Sequence, residues 1–269
     1  MAQGMFHKAL IGMVHAGALP GSPANSRPLH DVALRAAAEA RVLADAGFDA
    51  VMIENMHDRP YVTTHGPETT AAMTAIALAV RDVIGDTPMG IQVLSNGEKE
   101  ALAVAAACGA AFIRCENFVF SHVGDEGLMP RAAAGELLRY RRSIHAQHVQ
   151  IYADVQKKHA SHAITADLSI GELAKAAEFF LADGVVVTGV ATGEATNADD
   201  VAAVRGAVKL PVLVGSGVAP EQLGDLFTHA DGVIVGSWIK KGGRWENPVD
   251  PKRSKEMVRE AEHVRKRAR

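Results

Sequence analysis

Eight short apolar runs, each followed by a stretch with helical patterning, recur along the whole chain. The runs cover residues 9–15, 50–55, 89–95, 112–117, 150–155, 184–189, 211–217 and 232–237. Their length and their Val, Ile and aromatic content read as buried strands. The helical stretches read as 31–46, 67–84, 98–108, 131–145, 170–182, 198–207, 220–227 and 251–267. Gly47, Gly85, Gly109 and Gly184 fall where helices should stop, and Pro67, Pro220 and Pro251 fall in first turns. Asp31 or His30 is expected to begin the first helix, and Asn197 the sixth. Alternation of this kind implies parallel strands joined by right-handed crossovers, and eight units close a (β/α)8, or TIM, barrel.

The rest of the chain fits one such domain spanning residues 1–269. A doubly wound open sheet would need a Gly-x-Gly-x-x-Gly turn after its first strand, where the sequence has Val14-His15-Ala16-Gly17. At 48% hydrophobic and 22% charged residues, the composition is globular. A chain this long buries about three quarters of its unfolded surface and needs no covalent staples. Its two cysteines, Cys108 and Cys115, read as buried thiols, which fits a reducing, cytoplasmic setting. Residues 1–8 lack the apolar core of a secretory signal, and no apolar run reaches the roughly 18 residues of a membrane span. The net charge of −3 gives no general attraction to nucleic acid, and the basic tail 252–269 reads as a solvated helical face.

Barrel chemistry sits where strands end and the following loops begin. Four of those loops are long, at 16–30, 56–66, 118–130 and 156–169, whereas the loops at the opposite end are short. Read with a period of two, one face of the strands presents Glu54, Gln92, Arg114, Glu116 and Asp154 near those ends. The outer face must pack on helices, so this polar set is expected to point into the barrel. Such groups are costly there unless paired or used. One reading is a structural ion-pair ring in which Arg114 neutralises Glu54 or Glu116. The other is a carboxylate-rich site for proton transfer or a divalent metal, with His15 at the same mouth. Metal ligands would come from His15, Glu54, Glu116, Asp154 and His159, although no short-spaced ligand motif occurs. Lys157 and Lys158 follow the fifth strand, and at most one is expected in the site. It could serve as a Schiff-base nucleophile or an electrostatic clamp, or both could be solvated.

The sharpest local signal is Val214-Gly215-Ser216-Gly217-Val218 after the seventh strand and Val235-Gly236-Ser237 after the eighth. Glycines let backbone N–H groups approach an anion, and barrels commonly hold phosphate at these two turns. Gly215, Ser216, Gly217, Gly236 and Ser237 are therefore the expected phosphate cradle. A helix starting at Ala219 would aim its positive end at the anion. Thr188-Gly189 and Thr192-Gly193 add a third small-residue turn beside it.

At these residues the sequence resembles the BtpA family, which includes the SgcQ-type proteins. The likeness runs through Gly12-Met13-Val14-His15, Leu19-Pro20-Gly21-Ser22-Pro23, Glu54-Asn55 with Asp58 and Pro60, and Gly66-Pro67-Glu68-Thr69 with Ala72-Met73. It continues through Asp154-Val155 with Lys158-His159, the three glycine turns, and the segment 244–250. Met56-His57 and Gln156-Lys157 depart from the family pattern. The resemblance implies a barrel. It also implies either photosystem I biogenesis, from which the family takes its name, or sugar catabolism, among whose genes other members lie.

The expected function is an enzyme acting on a small phosphorylated metabolite, either a sugar phosphate or a phosphoribosyl compound, by isomerase, epimerase or lyase chemistry. Glu54, Glu116, Asp154, Lys158 and His15 are the candidate catalytic groups. Asn55, Gln92, Arg114, His159 and Thr188 are the candidate substrate contacts. The alternatives are a glycosidic-bond hydrolase using two carboxylates and a non-catalytic assembly factor. No organic cofactor is implied. The apolar tip Phe118-Val119-Phe120 is expected to be covered, by its own loop or in a homo-oligomer.

Overall fold

A computed structural model describes residues 6–189 and 196–267. In chain order the elements are β1 (Ala9–His15), α1 (Leu29–Ala46), β2 (Ala50–Glu54), α2 (Pro67–Ile84), β3 (Met89–Gln92), α3 (Glu98–Cys108) and β4 (Phe112–Cys115). There follow β5 (His122–Gly124), β6 (Gly127–Met129), α4 (Ala134–Ser143), β7 (Gln150–Asp154), β8 (Ala160–Ser161) and α5 (Ile170–Phe179). The last are β9 (Gly184–Val187), α6 (Ala198–Ala207), β10 (Val212–Val214), α7 (Leu223–His229), β11 (Gly232–Val235) and α8 (Pro251–Arg267).

Eight strands close into one parallel barrel in the order β1-β11-β10-β9-β7-β4-β3-β2. β1 closes the ring, pairing with β11 through Ala9–Gly232 and with β2 through His15–Glu54. Side chains alternate as a parallel sheet requires. Leu10, Val14, Val51, Ile53, Ile91, Ile113 and Ile151 pack outward on the helices. Ile11, Met13, Met52, Phe112, Tyr152, Leu213 and Ile234 fill the interior with Phe6.

Phe112 and Tyr152 meet edge to face at 5.7 Å inside the barrel. Two glycines make room for these rings. A Cβ on Gly90 would lie 2.3 Å from the Phe112 ring, and one on Gly184 would lie 2.3 Å from that of Tyr152. Gly184 is thus a packing position on β9 and not the helix stop the sequence suggested, because α5 already ends at Phe179. Gly47 and Gly109 do cap their helices in the left-handed conformation, and Asn197 caps α6 through the Asp199 N–H. The first helix begins at Leu29, just after Pro28, with Asp31 inside its first turn.

Two further differences bear on function. The fourth loop folds into the β5–β6 hairpin, and β8 of the fifth loop pairs antiparallel with β5 to make a small sheet over the mouth. Phe118 is wholly buried by its own chain, while Phe120 is 38% exposed. Pro220–Gln222 is a single 3-10 turn leading into the short α7, so no α-helix starts at Ala219. No helix among the described residues is long and apolar enough to cross a membrane.

Candidate active site

The barrel mouth gathers charges that a sheet interior would otherwise exclude. Glu54, Gln92, Arg114, Glu116 and Asp154 are all buried. Arg114 donates from Nε to Asp154 Oδ1 at 2.7 Å and from Nη2 to Oδ2 at 2.9 Å, a fork that engages both carboxylate oxygens. The partner of Arg114 is therefore Asp154, not Glu54 or Glu116. Glu54 lies instead beside His15, whose Nε2 is 3.7 Å from Oε2. The other His15 nitrogen, Nδ1, is 3.0 Å from the Trp245 carbonyl oxygen. Both lysines after β7 reach the mouth, contrary to the expectation of one. Lys157 bridges Glu126 of the hairpin tip at 3.1 Å and Glu116 at 3.8 Å. Lys158 faces Glu54, Asp154, Glu116 and Arg114 through space.

Burial sets the protonation of these groups. Loss of water raises Glu54, against the opposing pull of Lys158 and Arg114. It lifts Glu116 to about 7, with Lys157 opposing. Burial, aided by Lys240, holds His15 well below its ordinary value, so its ring is neutral at pH 7. Lys158 is lowered, first by burial and then by the Arg114 cation. Burial also acts to lower Lys157, but Glu116 and Glu126 outweigh it and the net shift is upward. Adjacent lysines are thus set apart, one kept charged by two carboxylates and the other pushed towards the free amine.

These groups line two openings that share Glu54, Met56 and Lys158. A narrow cleft runs between the glycine turns, bordered by Gly215, Ser216, Gly217, Gly236 and Ser237 on one side and by His15, Glu54, Arg114 and Lys158 on the other. Glu54, Met56 and Lys158 also border a wider cavity of about 270 Å³, which reaches Tyr61, Glu116, Glu126, Lys157 and Trp245. Arg59 lies over the Trp245 ring at 4.7 Å and His57 is tilted against it at 5.1 Å, forming an aromatic and cationic wall. The glycines differ in their work. Gly215 donates its N–H to Val187 O, and a Cβ there would sit 2.7 Å from Val186, so it supplies closeness and not a donor. Gly217 adopts φ +61°, a left-handed backbone that favours glycine. A Cβ on Gly236 would meet nothing nearer than 3.5 Å.

A family model described as the BtpA family matches residues 6–263. The chain belongs to the BtpA family. An uncharacterized mitochondrial protein of Caenorhabditis elegans is 42% identical over 257 residues, covering 93% of this chain and 91% of that protein. The photosystem I biogenesis protein BtpA of a Synechocystis strain is 38% identical over 247 residues, covering 91% and 85%. Among solved structures, thiamine phosphate pyrophosphorylase from Pyrococcus furiosus superposes with a TM-score of 0.57 at 14% identity, over 97% of this chain and 98% of that one. The (S)-3-O-geranylgeranylglyceryl phosphate synthase of Thermoplasma acidophilum, solved with sn-glycerol-1-phosphate, gives 0.57 at 18% identity, over 94% of each chain. Likeness at that identity establishes the shared barrel fold.

In this BtpA-family chain, several of the segments that carry the family resemblance meet at the cleft and the cavity beside it. They bring His15, Glu54, Lys158, the glycine turns and Trp245 together. Other expected contacts are used elsewhere. The Asn55 amide is taken up by Leu94, accepting from its N–H at 2.6 Å and donating to its carbonyl at 3.0 Å. Thr188 donates to Gln156 O, and His159 stands at the cavity rim, 3.8 Å from Asp125. Gln92 is buried with both amide atoms unpartnered, one strand from Glu54. Thr192 and Gly193 lie outside the described residues. Among the described residues, no three His, Cys, Asp or Glu side chains converge to hold a metal ion. Sequence reasoning missed Glu126, Tyr61, Arg59 and Lys240. Of these, Lys240 is fully buried and pairs with Glu39 at 2.7 Å. For Glu126, Tyr61 and Arg59 the only sequence cue was their position in long loops on the working face.

Proposed function

We propose that this protein is an enzyme that holds a small metabolite by its phosphate on the turns after β10 and β11. It would then transfer protons at a carbon next to a carbonyl, as an isomerase, epimerase or lyase. One observation carries the reading. The cleft bordered by the two glycine turns is also bordered by Glu54 and Lys158, so an anchored phosphate brings its carbon chain onto titratable groups. Glu54, with neutral His15 beside it, is the candidate base. Glu116, with a pKa near 7, can hold or release a proton at working pH. Arg114, fixed by Asp154, supplies a permanent positive charge for a developing oxyanion. The solved barrels of similar fold named for phosphate compounds are consistent with this reading.

The rival role is that named for the Synechocystis relative, a biogenesis factor without chemistry of its own. A scaffold has no use for three buried carboxylates, Glu54, Glu116 and Asp154, at an open mouth, which favours the enzyme.

The test is anion binding. Inorganic phosphate or sulfate should bind at Gly217 and Ser237 without any substrate. Gly236→Asp is the informative substitution because its Cβ has room, whereas Gly215→Asp would strain the barrel against Val186. The variant should keep the fold and lose phosphorylated ligands far more than their dephosphorylated analogues. A ligand at about a hundred times its dissociation constant should stabilise the native protein by about 2.7 kcal/mol, read as a rise in Tm. Equal weakening of both ligand classes, or no anion binding at millimolar phosphate, would remove the phosphorylated substrate from the proposal.

A further inference from the structure

Three lysines stand at or just behind the barrel mouth, and two of them are paired. Lys240 Nζ is 2.7 Å from Glu39 Oε2, and Lys157 Nζ is held between Glu126 and Glu116. Lys158 differs. No carboxylate oxygen of a described residue lies within 4 Å of its Nζ, although Glu54, Asp154 and Glu116 all face it at longer range. One of the acids that face it, Asp154, is occupied on both oxygens by Arg114. That fork has a second effect, because it fixes a guanidinium beside Lys158 and disfavours a second cation there.

Position matters as much as charge. Lys158 is one of three residues that border both the glycine-turn cleft and the wider cavity, with Glu54 and Met56. A group anchored on one side and extending into the other meets the border that Lys158 shares with Glu54 and Met56. A desolvated amine beside a fixed cation, next to proton donors and acceptors, is the arrangement that makes a lysine a nucleophile.

We propose that Lys158 forms an imine with the aldehyde or ketone carbonyl of a phosphorylated metabolite. This rests on the phosphate reading above and narrows the substrate to carbonyl compounds. The neutral amine adds to the carbonyl carbon, forming the C–N bond while the C=O π pair moves to oxygen. That oxygen leaves as water, taking one proton from the amine and one from a carboxylic acid, for which Glu116 is suited. The protonated imine then accepts the electron pair of an adjacent C–H bond, or of a C–C bond whose far carbon bears a hydroxyl and departs as a carbonyl, and becomes an enamine while Glu54 takes the C–H or hydroxyl proton. Glu54 returns a proton to the enamine carbon and restores the protonated imine. One water hydrolyses the imine and returns Lys158 to its amine.

The full chain would be incubated with dihydroxyacetone phosphate, glyceraldehyde 3-phosphate or ribulose 5-phosphate, with cyanoborohydride present, and analysed by intact mass and peptide mapping. One reduced adduct per chain is expected, on Lys158. Its yield should fall at least about tenfold with unphosphorylated dihydroxyacetone, with excess inorganic phosphate, or in Lys158→Met. Lys158→Met should still bind inorganic phosphate, which shows that the variant is folded and the cradle intact. Phosphate binding without an adduct from any of the three probes, or adducts spread over exposed lysines, overturns the imine and leaves the phosphate reading standing. Failure of the wild-type chain to bind phosphate overturns both.

Discussion

Asp154→Asn tests the central electrostatic argument, because it removes one charge from a pair that water does not reach. The side chains of Arg114 and Asp154 are 3% and 0% exposed and share two short hydrogen bonds. Asparagine can keep one acceptor for the guanidinium, but it leaves the Arg114 charge without its contact partner. Breaking a buried pair by removing one member costs about 3–5 kcal/mol, most of it the uncompensated charge. Glu54 and Glu116 still face Arg114 at longer range, which sets the expectation near the lower end, about 3 kcal/mol. For a chain of this length each kcal/mol moves the melting midpoint by about 2 °C, so a drop of about 6 °C is expected. Urea denaturation followed by circular dichroism, alongside thermal melts, measures both quantities. The double variant Arg114→Met with Asp154→Leu supplies the control, since two apolar groups leave no stranded charge and should recover much of the loss. A single variant within about 0.5 kcal/mol of the parent would refute the reasoning, since that is the range of an unremarkable surface change. A double variant as damaged as the single would show that packing, and not charge, governs the site.

Two further outcomes follow from the same buried packing. Glu116 holds its proton up to about pH 7 when folded, against an ordinary value of 4.5. The folded state therefore binds more protons than the unfolded one between those values, and stability is lost as pH rises through them. Glu116→Gln removes that dependence. Its stability relative to the parent should improve between pH 4.5 and pH 8 by up to about 3 kcal/mol, and urea midpoints that keep a constant difference across the range would contradict it. Gly184→Ala should cost about 1–3 kcal/mol, because the added methyl must displace the Tyr152 ring, and an unchanged melt would show that the barrel floor has slack.

The barrel was legible because fully buried parallel strands must be written as apolar runs, and eight of them recur with the same punctuation. The same period-two reading put Glu54, Arg114 and Asp154 on the inner face, where the structure has them. It failed where regular strand geometry ends. Lys157 and Lys158 lie beyond β7, so alternation no longer governs them, and both turn inward. The β5–β6 hairpin was hidden for a related reason. Its strands are three residues each, and its pairing with Ala160–Ser161 joins two loops distant in sequence. Short strands and long-range pairings leave little local signature.

The misassigned partner of Arg114 was recoverable from the strand order alone. In a barrel built in sequence order, the fourth strand's neighbours are the third and the fifth, which here are β3 and β7. Cα register sets Arg114 opposite Tyr152, so Asp154 lies one pleat further along the adjacent strand on the same face. Glu54 is two strands away, beyond β3. An arginine reaches its neighbour before its neighbour's neighbour, so Asp154 takes the guanidinium and Glu54 is left for His15. That division separates the two roles that the sequence presented as alternatives. The Arg114–Asp154 pair supplies the structural ion pair, and the carboxylates it leaves unclaimed, Glu54 and Glu116, stand at the opening beside Lys158.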